Sequence, residues 1–219
     1  MTSIERTFVL GVAVIGLALP SYGSLLTNGS FEDGNFVPDP AHPGDDTMSL
    51  AVGATDMTGW TVQIAPLAWI GPFNPFGLSA SDGSFFLDLS GYHDSSPFAG
   101  VLQASIPTTI GTTYRLTFDI GTDTRYDSAA VGIVATAGIY TAPFLSTPVG
   151  LNQWEEFTFD FVATSATTTI SLDGQPGANQ AYLGLDNVTF IVVPEPSTLS
   201  LIAGPGLLVF AAWRRFRKA

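Results

Sequence analysis

The chain has 219 residues, a formal net charge of −12 and no cysteine. Acidity of this order excludes nucleic acid as a partner, because such binding draws its affinity from Lys and Arg contacts to phosphate. The missing thiols exclude cysteine catalysis, a cysteine-ligated zinc and any disulfide, so the fold must be held by apolar burial.

At the start of the chain, Arg6 precedes the apolar stretch Phe8 to Leu19, Pro20 ends it, and Ser21-Tyr22-Gly23 offers small residues at the positions a signal peptidase reads. Residues 1–23 therefore read as a removable secretory signal helix, with Glu5 out of place in its basic region. A retained membrane helix would need a longer span. Residues 24–193 have the length of one domain. They hold seventeen of the nineteen acids but only Arg115 and Arg125 among the seven bases, which gives the segment a formal charge of −15. Such a surface suits solubility outside the cell and attracts divalent cations. The acids are dispersed, so most read as a solvated surface.

Within the domain the periodicity is that of β-strands. Tyr114, Leu116, Phe118 and Ile120 alternate with polar residues, and so do Phe157, Phe159 and Phe161. Shorter strands are expected around 60–64, 85–89, 101–106, 131–137, 167–172 and 182–192. Many short strands separated by Gly, Pro, Asn and Asp predict an all-β domain, either a two-sheet sandwich or a barrel. In the closing strand Leu183 and Leu185 share one parity and Val188, Phe190 and Val192 the other, which predicts a bulge at Asp186-Asn187. Two segments read as loops: a Pro- and Asp-rich one at 37–46 and an aromatic one at 65–77.

At the end of the chain, Pro194-Glu195-Pro196 is followed by an apolar run from Leu199 to Trp213 and then by Arg214-Arg215-Phe216-Arg217-Lys218. As a helix the run would be roughly 22 Å long, short of a ~30 Å hydrocarbon layer. Pro205 interrupts it. The cations behind it are held on the cytoplasmic side by the positive-inside rule. This three-part tail (194–219) resembles the PEP-CTERM sorting signal of Gram-negative bacteria. The resemblance implies recognition and cleavage by an exosortase near Pro194, Glu195 and Pro196. It further implies membrane contact through the C-terminal helix, with Arg214 and Arg215 in the basic end, and delivery to the cell surface or extracellular matrix.

The segment Leu25-Leu26-Thr27-Asn28-Gly29-Ser30-Phe31-Glu32-Asp33-Gly34, followed by Gly59-Trp60 and closed by Tyr182-Leu183-Gly184-Leu185-Asp186-Asn187-Val188, resembles galactose-binding-like jelly-roll domains. Carbohydrate-binding modules are among them. The resemblance implies an antiparallel jelly-roll β-sandwich, and a structural calcium at Glu32 and Asp186. Both supply the hard oxygens that ion takes. Asp33 and Asp160 are further acids for the same role.

Trp60 and Trp154 stand at strand starts and are expected in the core. Trp69, Phe73, Phe76 and Tyr92 lie in Gly- and Pro-rich segments. Two readings stand for them: a platform on which sugar rings stack, or a hydrophobic lid on the sandwich. An enzymatic site is hard to build, because Ser90, His93 and Asp94 are too close in sequence to form a triad by themselves, although Asp88 or a distant acid could join them, and neither a Gly-x-Ser-x-Gly elbow nor a His-Glu-x-x-His helix is present. The expectation is a noncatalytic exported protein, processed by signal peptidase and exosortase and associating with extracellular polysaccharide. The alternative is an envelope hydrolase acting on polysaccharide.

Overall fold

The structure is a computed structural model that describes residues 23–91, 97–126, 128–175 and 182–194. Among these residues there are eleven strands and no helix: β1 (Thr47–Leu50), β2 (Thr61–Gln63), β3 (Leu67–Ile70), β4 (Phe86–Asp88), β5 (Gly100–Pro107), β6 (Thr113–Thr122), β7 (Val131–Ala137), β8 (Tyr140–Ser146), β9 (Gln153–Val162), β10 (Thr167–Gln175) and β11 (Gly184–Val192). They form a six-stranded sheet in the order β1-β3-β4-β11-β6-β9 and a five-stranded sheet in the order β2-β5-β10-β7-β8. The domain is thus a sandwich. The pairs β7·β8 and β5·β10 lie in one sheet and β6·β9 and β4·β11 in the other, all antiparallel. Nested pairs that alternate between two sheets are the winding of a jelly roll.

Alternation fixes which residues enter the core, since successive side chains point to opposite faces of a strand. On β6, Tyr114, Leu116, Phe118 and Ile120 are all buried between the sheets. Their cross-strand partners on β9 include Phe161, Phe159 and Phe157. The latter two are only half-buried, because β9 is the last strand of its sheet. Trp60 fills the core from the entrance to β2, tilted against Phe31 at 5.4 Å and donating its indole N–H to the Asn28 carbonyl at 2.8 Å.

The bulge falls where the parity change placed it. The register of β11 against β6 slips between Asp186 and Thr189, and Asn187 adopts a φ of 51°. Asp186 keeps register with Asp119 on the outer side of the six-stranded sheet, while Val188 and Phe190 return to the core.

The two ends of the domain meet. The Leu25 N–H donates to the Phe190 carbonyl at 2.7 Å, and the Val193 N–H donates to the Thr113 carbonyl at 2.9 Å. Of the expected leader (1–23), residues 1–22 lie outside the described residues, as does the tail from residue 195 onward, and with them the two expected flanking helices. Among the described residues no helix is long and apolar enough to cross a membrane.

Candidate functional site

The six-stranded sheet is apolar on both faces. Leu67 and Trp69 of β3 point into the sandwich, while Ala68 and Ile70 belong to a second, smaller cluster with Leu78, Phe86 and Tyr182 on the outside. Phe76, Tyr126 and Trp154 pack against this outer cluster. A surface of that kind must be covered. The cover is the long connection from β3 to β4, which crosses the outer face as a strap.

Side chains from the flanking loops hold the strap by its backbone. Glu32 Oε1 accepts the N–H groups of Ser84 and Phe85, both at 2.7 Å. Asp186 Oδ2 accepts those of Ser81 and Asp82 at 2.8 and 2.9 Å. The Ser81 hydroxyl bonds to Asp119. Asn152 accepts the Ser79 N–H at 3.0 Å, and the Trp154 indole donates to the Ser79 carbonyl at 2.9 Å. Nearer β3, Arg125 donates to the Gly77 carbonyl at 3.1 Å and Tyr126 to the Phe76 carbonyl at 3.2 Å. Arg125 is itself fixed by Asp123 at 2.6 Å. That hydrogen bond holds the Asp123 carboxyl below its ordinary range and raises the Arg125 guanidinium.

Trp154 and Tyr182 can lie flat on the sheet because Gly121 and Gly184 face each other across β6 and β11. A Cβ at Gly184 would strike the Tyr182 hydroxyl, and one at Gly121 would strike the Trp154 ring. The shelf leaves the Tyr182 hydroxyl buried without a hydrogen-bond partner. Its pKa is pushed well above 10, first by burial and then by the charges of Asp88, Asp186 and Asp123.

Between the strap and the sheet remains a pocket of about 340 Å³, lined by the outer residues of β1 and β3, by Phe76 and Leu78 of the strap, and by Tyr126 and Tyr182. The two tyrosine rings are 6.0 Å apart and inclined at 51°. Its polar groups include His42, Asp45 and Asp88. His42 sits 3.2 Å from Asp39, and Asp88 Oδ1 accepts both the N–H and the hydroxyl of Ser90, at 2.9 and 2.6 Å. The composition is that of a small-molecule site, with apolar and aromatic walls and a few placed polar groups.

The residues expected from sequence to stack on sugars separate in the structure. Trp69 is not on a loop: it is only 1% exposed, faces the core from β3 and donates its indole N–H to the Phe31 carbonyl at 3.1 Å. Its ring packs on Phe36 and Phe85. The reason is register, since Trp69 pairs with Met48 on β1 and Leu87 on β4 and takes the inward parity of that row. Phe76 is the aromatic that reaches the pocket. Phe73 stands 84% exposed at the tip of the strap, where its N–H is held by Asp46 at 2.7 Å. Tyr92 lies outside the described residues, as do His93 and Asp94 of the rejected triad. Trp154, expected in the core, is half-buried on the outer face, edge-on to Phe86 at 5.7 Å. Tyr126 and Asp45 are not singled out from sequence, and Tyr182 and Asp88 are not assigned by it to a binding site, because no spacing links the four.

Glu32 and Asp186 do converge, on one strap rather than on each other. Among the described residues no group of three acids or histidines is placed to share a cation. Asp160 is taken up by a two-point ion pair with Arg115, at 2.7 and 2.8 Å. Asp186 is fully buried, and burial pushes its pKa up to about 7 against the pull of the three amides it accepts. Of the sorting motif, Pro194 is described and Glu195, Pro196, Arg214 and Arg215 are not.

Comparison with known proteins adds five findings. Residues 24–190 match the family model described as "Protein of unknown function (DUF642)", and residues 192–218 match the PEP-CTERM protein-sorting motif. Halomucin of Haloquadratum walsbyi is 26% identical over 190 residues, which cover 86% of this chain and 2% of that protein. Among solved structures, TmCBM61 in complex with β-1,4-galactotriose is 17% identical with a TM-score of 0.44, covering 78% of this chain and 99% of that one. A cleaved adhesin domain of Lys-gingipain from Porphyromonas gingivalis is 14% identical with a TM-score of 0.43, covering 68% and 99%.

Proposed function

We propose that this chain, which belongs to the DUF642 family and carries a PEP-CTERM sorting motif, is an exported, noncatalytic domain that binds saccharide in the pocket beneath the strap. The observation that carries the reading is the pocket itself: aromatic rings of Phe76, Tyr126 and Tyr182 beside the carboxylates of Asp45 and Asp88. Sugar rings present apolar C–H faces that pack on such rings, and their hydroxyls donate to carboxylates. An anionic ligand is disfavoured by a domain of formal charge −15. Phe73 at the tip of the strap would add a second stacking surface outside the pocket.

The sorting motif supports export with exosortase as the processing partner, and the polymer bound on this reading is extracellular polysaccharide. Affinity per site is modest, because a pocket this small buries little of a polymer. Retention on a repeating chain then comes from many copies acting together. Glu32 and Asp186 keep the pocket's wall in place by fixing the strap. A calcium taking Glu32 Oε2, Asp186 and main-chain carbonyls of the strap would reinforce the same hold and neutralise the buried charge of Asp186.

The test is calorimetric titration of the purified protein with oligosaccharides cut from the extracellular polysaccharide of its host. Phe76→Ala should weaken binding while Glu155→Gln, on the exposed side of β9, leaves it unchanged. Absence of binding to every fragment would refute the reading. Release of new reducing ends would replace it with the hydrolase, with Asp45 and Asp88 as its pocket carboxylates.

A further inference from the structure

The charges around the pocket are one-sided, and this narrows the saccharide that fits. Two carboxylates line it, Asp45 and Asp88, no Lys or Arg side chain does among the described residues, and the one lining imidazole, His42, is matched by Asp39 at 3.2 Å. The domain has only two cations, and both are engaged. Arg115 is paired with Asp160 on β9, and Arg125 is spent on Asp123 and the Gly77 carbonyl behind the strap. Asp45 is half-buried, and its carboxylate accepts no hydrogen bond within the described structure. Three of its lining residues are aromatic, Tyr126 and Tyr182 with rings 6.0 Å apart and inclined at 51°, and Phe76 of the strap. A ring face is negative at its centre, so a cation enclosed by several such faces is favoured over a neutral group of the same size. The Arg125 guanidinium already lies over the Tyr126 ring, 5.8 Å from its centroid.

From the two carboxylates, the aromatic rings and the absence of a lining Lys or Arg among the described residues, we infer that the pocket selects a sugar bearing a free ammonium group, an amino sugar that is not acetylated. This rests on the saccharide reading and deepens it. The ammonium sits toward Asp45 and Asp88, where its N–H groups donate to carboxylate oxygens, while the sugar ring packs on Phe76 and Leu78. An acetamido group in its place is larger and uncharged, and would leave Asp45 desolvated without a donor.

The experiment compares three trimers of one backbone on the full-length protein in detergent, by calorimetry at low ionic strength near pH 6: the glucosamine trimer, the N-acetylglucosamine trimer and cellotriose. The glucosamine trimer should bind at least about tenfold more tightly than the other two, the scale of one charge-assisted contact. Asp45→Asn should erase most of that preference, whereas Glu155→Gln should not. Equal affinity for the three trimers would overturn the inference and leave the saccharide reading standing. An equal loss in Asp45→Asn and Glu155→Gln would also overturn it, by tracing the preference to the acidic surface as a whole. Failure of all three to bind, with host oligosaccharides still bound, would remove the amino sugar alone; failure of those too would remove both.

Discussion

Replacing Tyr182 by phenylalanine should make the protein more stable. The Tyr182 side chain is 4% exposed, and its hydroxyl lies against the backbone of Gly184 and Gly121 and the Trp154 ring, where nothing accepts or donates a hydrogen bond. In the unfolded chain that hydroxyl is hydrated, and folding strips the water without replacement. A buried polar group left unpaired costs about 1–3 kcal/mol. Removing the oxygen forfeits a few contacts worth about 0.1–0.2 kcal/mol each. The net gain is on the order of 1–2 kcal/mol, or a rise in Tm of roughly 2–4 °C per kcal/mol for a domain of this size. Differential scanning calorimetry of the two proteins at pH 7 reads this directly. The ring that lines the pocket remains, so trimer affinity should be unchanged. A Tm at or below that of the parent would refute the reasoning, because it would mean that the hydroxyl has a partner in solution and that the glycine shelf is wet.

Three more outcomes are expected. Trp69→Ala removes a side chain buried on all sides together with its hydrogen bond to Phe31, and should cost about 3–5 kcal/mol in denaturant unfolding, whereas Phe73→Ala should cost less than about 0.5 kcal/mol. Asp186 has its pKa raised by burial to about 7, above its unfolded value of 3.8. Its protonation therefore adds stability that is fully present below pH 3.8 and is lost as pH rises through 7, about 4 kcal/mol on a linkage count. In chelator the melting temperature should follow that curve, and in millimolar calcium the curve should flatten and the neutral-pH value rise; identical curves in the two media would exclude calcium. The mass of native protein recovered from the cell surface should lack residues 1–23 and the tail beyond the Pro-Glu-Pro motif, and persistence of Arg214 to Ala219 would mark an uncleaved anchor instead.

The strands that sequence reveals are those with one wet face. On β6, Arg115, Thr117 and Asp119 alternate with core residues, so the period is visible. On β3 the run Leu67-Ala68-Trp69-Ile70 is buried on both faces, one by the sandwich and one by the strap. Such a strand has no alternation, and Pro66 and Gly71 at its ends make it look like a loop. β8 is hidden for the opposite reason: it is exposed at the sheet edge and carries Pro143, the residue that usually argues against a strand. The pocket is illegible because its walls come from widely separated segments, His42 to Thr47, Ala68 to Leu78, Asp88 to Gly91, Tyr126 and Tyr182. Glu32 and Asp186 could be singled out only by resemblance, and their contacts with the strap's amides required coordinates.

The path of β11 has a mechanical consequence. The strand begins at Gly184, two residues after Tyr182 in the pocket and paired with Asp88, and ends at Val192, beside the start of the sorting tail. Its nine residues span about 27 Å at the rise of an antiparallel strand. A polymer held in the pocket and a tail held by the envelope would thus pull on opposite ends of one strand. β11 is not at an edge, and it is laced to β6 over most of its length and to β4 at its start. Tension applied along it shears many hydrogen bonds at once instead of opening them in turn. A domain loaded at those two points would bear the traction along β11, where an edge strand in the same position would peel.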